Sequence, residues 1–156
     1  MNLFTKIAIK PLLLAGIIIS LFAGAFAEDV KITSDQFLVN ESDSNAVFEG
    51  NVIVTQPNFT LWANKVTVTY GEDGPSDLKS FVALGSVKIK QPDQTATSDR
   101  GVYDPKTKIL ILYDNVIVIN ESGTITGQEL IVNIATGVSK FPSQSDGGRV
   151  TAIFSQ

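Results

Sequence analysis

The side chains able to move protons in this 156-residue chain are carboxylates and lysines, because it contains no histidine and no cysteine. That absence excludes Cys or His metal sites, thiol nucleophiles, disulfides and any Ser-His-Asp arrangement. Asp35 and Asp99 recur at one place in a repeated phrase, Ser34-Asp35-Gln36 and Ser98-Asp99-Arg100. There a short carboxylate is expected to bond nearby backbone N–H groups, a structural role that outweighs general acid or base work. No titratable pair recurs at a spacing that would converge in a cleft, so the chain is not read as an enzyme. No cofactor and no metal is expected. Lys88 and Lys90, with Lys106 and Lys108, could hold a phosphate, but alternation turns Lys88 and Lys90 towards solvent. Nothing resembles a phosphate-binding loop that would use a nucleotide. Asn40-Glu41-Ser42, Asn58-Phe59-Thr60 and Asn120-Glu121-Ser122 match the glycan acceptor pattern and mark loops. Trp62 faces outward next to inward Leu61.

The elements that must position these residues are β-strands. With 44% apolar and 18% charged residues, the composition is that of one globular domain. Residues 1–27 read as a cleaved signal peptide: Lys6 and Lys10 are basic, residues 12–22 are apolar, and Ala25-Phe26-Ala27 fits a cleavage site. A membrane span needs about 20 apolar residues and would have to include Lys10 and Pro11. The domain then comprises residues 28–156, with 10 basic and 16 acidic residues and a net charge of −6. This acidity argues against nucleic acid and against anionic lipid surfaces, both of which need a basic stripe.

Apolar and polar residues alternate through this domain, turn clusters interrupt the alternation, and no 3.6-residue period persists. Two blocks repeat in turn. Residues 32–39 align with 61–68, 96–103 and 125–132, at steps of 29, 35 and 29 residues. Residues 48–54 align with 83–89 and 112–118 at the steps of 35 and 29. Gln56-Pro57 and Gln91-Pro92 close two of these second blocks identically. In the first block the apolar parity switches once, Leu61 and Ala63 giving way to Val66 and Val68. A strand alternates faces strictly, so an extra residue is expected at Asn64-Lys65, and equally at Asp35-Gln36, Asp99-Arg100 and Gln128-Glu129. Such a corner bends each strand from one sheet into a facing one. The fold expected is all-β, an elongated and twisted roll of two facing antiparallel sheets built from stacked strand repeats, with open strands at both ends.

The same parity defines an inward set that includes Ile32, Phe37, Phe48, Val52, Val54, Val87, Ile89, Tyr103, Leu112, Val116 and Val118. Small residues lie among them: Ser34, Gly50, Ala63, Gly85, Ser98, Gly101 and Gly127. They serve either close packing of the two sheets or an incompletely filled apolar trough able to admit alkyl chains. Periodicity alone favours packing.

The phrases Ile32-Thr33-Ser34-Asp35-Gln36, Gly50-Asn51-Val52-Ile53-Val54-Thr55-Gln56, Ala63-Asn64-Lys65-Val66-Thr67-Val68 and Gly148-Arg149-Val150-Thr151-Ala152-Ile153-Phe154, in this order behind a signal segment, resemble the OstA-like family of the periplasmic lipopolysaccharide-transport protein A (LptA). The resemblance implies a non-enzymatic β-jellyroll that binds lipid A acyl chains. It further implies head-to-tail homo-oligomers joining an anchored inner-membrane partner at the N-terminal end to an outer-membrane translocon at the C-terminal end. By position it carries lipid contacts to Val30, Ile32, Ile89 and Tyr103, while Pro105 departs from the family's apolar pattern. The edge strands around Ile32 and Thr33, and around Val150 and Ile153, are expected to receive partner strands. Two alternatives are a membrane-anchored sibling in the same transport system and a ligand-free structural or adhesive repeat protein.

Overall fold

The computed structural model describes residues 31–155. The expected signal segment and Val30 lie outside the described residues. The strands are β1 Lys31–Thr33, β2 Gln36–Asn40, β3 Asn45–Gln56, β4 Phe59–Gly71, β5 Gly74–Lys90, β6 Gln94–Asp104, β7 Ile109–Asn120, β8 Gly123–Asn133, β9 Ser139–Lys140 and β10 Thr151–Phe154. Each long strand pairs antiparallel with the next in sequence, from β3 through β8. β1 and β2 both flank β3 at one end, and β9 and β10 both flank β8 at the other.

Every long strand is bent at one level. On β4 the buried residues are Leu61, Ala63, Val66 and Val68, and on β3 they are Ala46, Phe48, Val52 and Val54. The middle interval is three residues on one strand and four on its neighbour, and the register breaks between Glu49 and Val52. The bend therefore falls where the parity switch placed it, but the extra residue belongs to the adjacent strand. Two residues in left-handed conformation supply it on β3, β5 and β7: Gly50 and Asn51, Gly85 and Ser86, Asp114 and Asn115, with φ between 46° and 80°. Only these second-block strands carry the left-handed pair; β4, β6 and β8 turn the corner with two successive outward residues. In the first repeat unit the corner interrupts the strand altogether, separating β1 from β2.

The bend divides the sheet into two leaves. The Val54 leaf holds β1, residues 52–56, 59–63, 87–90, 94–98, 116–120 and 123–127, and β10. The Val66 leaf holds β2, the remaining halves of β3 to β8, and β9. Inward residues from both leaves form one core that includes Val52, Val66, Val87, Leu112 and Val116, all 2% exposed or less. Burying each such side chain contributes roughly 1.5–3 kcal/mol, which has to carry a fold with no covalent crosslink. Gly101 is there for space: a Cβ would stand 3.2 Å from Leu112 Cδ2.

The corner is stitched by polar side chains. Ser34 Oγ donates to the Gln36 carbonyl at 2.8 Å, and Ser98 Oγ to the Arg100 carbonyl at 3.1 Å, each reaching across an aspartate. Asp35 and Asp99 do not take backbone N–H groups as expected. Asp35 accepts from Asn51 Nδ2 at 2.8 Å and Asp99 from Asn115 Nδ2 at 2.7 Å, each carboxylate lying over the left-handed pair of the next strand. Asn64 occupies the corresponding place above Gly85.

Candidate functional site: an apolar cavity between the leaves

Between the leaves, from β3 across to β8 and the segment after β9, the space is not filled. A cavity of about 470 Å³ lies there, within the size range of small-molecule sites. The Val66 leaf contributes Phe81, Tyr103, Leu110, Leu112, Leu130 and Val132; the Val54 leaf contributes Val54, Phe59, Leu61, Ile89, Ala96, Val118 and Ile125. Phe141, just beyond β9, adds another wall. Its ring rests on Gly127, where a Cβ would come within 2.7 Å of Phe141 Cδ1, so glycine is what admits the ring. Among the described residues, no Asp, Glu, Lys or Arg lines the cavity.

The structure sorts the residues expected to face lipid. Val54, Ile89, Tyr103, Leu112 and Val118 line the cavity. Phe48, Val52, Val87 and Val116 lie in the packed part of the interior and do not line it. Ile32 packs against the core on β1, opposite the lining residue Val54, without itself lining the cavity, and Val30 is outside the described residues. Alternation separates inside from outside but cannot tell filled interior from hollow interior. Phe59, Phe81, Leu110 and Phe141 line the cavity without belonging to the inward residues named from alternation. Phe59 could have been found by extending the Leu61–Ala63 parity back by one step, whereas Phe141 follows a loop and has no periodic signal.

The charged candidates lie elsewhere. Lys88 and Lys90 are exposed on the outer face of β5, while Lys106 and Lys108 belong to the β6–β7 turn, so the four do not form one cluster. Lys88 Nζ stands 5.4 Å above the Trp62 ring and Arg100 Cζ 4.7 Å above Tyr113, cation–π contacts on the outside of the molecule. Among the described residues, no group of three or more His, Cys, Asp or Glu side chains could hold a metal. Of the partner-strand candidates, Ile32 and Thr33 form β1, paired with β3, and Ile153 lies in β10, paired with β8. Val150 immediately precedes β10 and is exposed.

Tyr103 is the ionisable group in the cavity wall. Burial pushes its phenol above the ordinary value of about 10, and the Asp104 carboxylate next to it pushes the same way. The unfolded chain therefore ionises first. Stability is whole below about pH 10 and is lost as pH rises from there through the higher folded value. Urea midpoints measured at neutral pH and at about pH 11 should fall for the native protein, and Tyr103→Phe should reduce that fall. An equal fall in both proteins would remove Tyr103 as its source.

A meander folded along its own bulges around a partly hollow interior is a β-jellyroll. A family model described as LptA/(LptD N-terminal domain) LPS transport protein matches residues 31–138, and the chain belongs to that family. It is 28% identical over 130 residues to an uncharacterized protein of Rhizobium meliloti, covering 79% of this chain and 69% of that one. To the lipopolysaccharide export system protein LptH of Pseudomonas aeruginosa it is 24% identical over 132 residues, covering 80% and 74%. The LPS-assembly protein LptD of Yersinia pestis matches at 39% over 83 residues, 51% of this chain but 10% of that protein. The crystal structure of Pseudomonas aeruginosa LptH, described as the LptA homologous periplasmic component of the lipopolysaccharide transport device, superimposes with a TM-score of 0.70 at 19% identity. It covers 83% of this chain and 97% of LptH, a likeness of fold.

Proposed function

We propose that this chain is a periplasmic carrier that shelters the lipid A acyl chains of lipopolysaccharide between its leaves. The observation that carries the reading is the uncharged, apolar cavity bounded by both leaves, which a purely structural repeat protein would have no reason to leave unfilled. Each sheltered methylene contributes about 0.8 kcal/mol, so ten hold a lipid by roughly 8 kcal/mol. Release into water is then slow, and transfer requires a neighbouring cavity of similar affinity. Edge strands β1 and β10, at opposite ends of the roll, offer backbone groups for head-to-tail addition of further copies. An anchored inner-membrane partner would meet the β1 end and an outer-membrane translocon the β10 end. Residues 1–27 serve as the cleaved export signal, leaving the domain at 28–156.

The test is co-elution of purified protein with lipopolysaccharide on size exclusion. Binding is expected for the native protein and lost for Leu110→Asp, which puts a carboxylate into the cavity wall. A carrier role fails if folded native protein never shifts with lipopolysaccharide, or if a folded Leu110→Asp variant binds as well as native.

A further inference from the structure

The inward faces of the Val54 leaf change character at their ends. Following alternate residues outward, β3 runs Val52, Val54, Gln56; β5 runs Val87, Ile89 and then Gln91 just beyond the strand; β7 runs Val116, Val118, Asn120. In the opposite direction β6 runs Ser98, Ala96, Gln94. Each of these four apolar faces thus finishes in a carboxamide, whereas those of β4 and β8 finish in Phe59 and Gly123. All four carboxamides line the cavity, as does Asn58 in the β3–β4 turn. Three of them are contiguous: Gln94 stands opposite Asn120 in the β6–β7 register, and Gln94 Nε2 donates to Gln91 Oε1 at 2.6 Å. Asn120 Oδ1 also accepts the Ser122 N–H at 2.9 Å, which fixes its orientation. The repeated Gln56-Pro57 and Gln91-Pro92 pairs sit on this lip, each proline ending ladder pairing just beyond the glutamine.

A carboxamide both donates and accepts, whereas a phosphate or carboxylate is matched by Arg or Lys, and among the described residues the cavity has neither. A ligand with alkyl chains inside and its polar part at this edge of the cavity brings its first polar atoms to the lip. We propose that the carboxamide lip of Gln91, Gln94 and Asn120 binds the uncharged amide and hydroxyl groups of an acylated amino sugar. This rests on the acyl-chain reading of the cavity and adds the part of the ligand that is held at its mouth; charged substituents of the same ligand stay in solvent.

Two probes separate the site from the cavity: laurate, which has a chain and no sugar, and a synthetic N- and O-acylated glucosamine disaccharide without phosphates. In the full chain with Gln91→Leu, Gln94→Leu and Asn120→Leu, disaccharide affinity should fall by about tenfold while laurate affinity is held or raised. Gln94→Leu alone, at an exposed position, should lose about threefold and carries the test if the triple variant does not fold. Unchanged disaccharide binding, or an equal loss for both probes, overturns the site. Native protein that binds laurate but not the disaccharide also overturns it and leaves the cavity reading standing. Native protein that binds neither sinks both.

Discussion

Gly85→Val lowers the unfolding free energy by about 3 kcal/mol, close to the largest loss expected of a single substitution outside the core. Two costs combine. Gly85 has φ +78°, a left-handed conformation that disfavours any L residue and a β-branched one most. A Cβ there would also stand 2.5 Å from Asn64 Nδ2 and 3.1 Å from Asn64 Cβ and Cγ, on the neighbouring strand. Valine must shift either the bulge or the residue stacked over it, and the bulge sets the angle between the leaves. Ser86→Gly is the control. Ser86 has φ 48°, so glycine relieves strain and stability should hold or rise by up to about 1 kcal/mol. Urea unfolding with unchanged slope reads both values. A Gly85→Val midpoint equal to native would mean that the left-handed pair does not shape the corner.

Ala96→Trp abolishes lipid binding without unfolding the protein. Ala96 is half-buried on β6, its register partners Ile89 and Val118 also line the cavity, and its methyl faces the empty space. An indole at this position occupies volume that acyl chains would need. Excluding only two methylenes costs about 1.6 kcal/mol, more than tenfold in affinity. Because the ring enters a void and not a filled core, the melting temperature should stay level or rise. Co-elution with lipopolysaccharide and a thermal melt on one preparation separate these effects. Native-level binding by a folded Ala96→Trp protein would place the lipid elsewhere.

Much of the architecture was legible because alternation is a strict geometric code. Leu61, Ala63, Val66 and Val68 mark both the buried face and the level of the bend, and all four are buried. The strand responsible for the bend was harder to read. Gly50 and Gly85 looked like small residues making room inside, yet they serve through positive φ, and Asp114-Asn115 performs the same turn without a glycine. The recurrence of Gly-Asn, Gly-Ser and Asp-Asn at one place in the second block was the available signal, since these residue types tolerate the left-handed region.

The site was legible only in part. Parity put Val54, Ile89, Leu112 and Val118 on the inside together with Val52, Val87 and Val116, and no property of a valine tells which of them borders empty space. That depends on how far apart the leaves stand and on where Phe59, Phe81 and Phe141 wedge between them, a tertiary outcome. Phe37 illustrates the same limit from the other side. Its ring meets Phe48 at 4.8 Å on the inward face, yet it is 45% exposed because β2 is an edge.

Photo-crosslinking in cells tests the central claim most directly, with the reactive side chain placed at Ile89, Leu110 or Val118 in the cavity wall and at Lys88, Thr97 or Ile117 on the outer face. The account predicts lipopolysaccharide adducts from the first three positions and none from the second three. Equal adducts from both sets, or adducts from the outer face alone, would contradict a lipid path between the leaves.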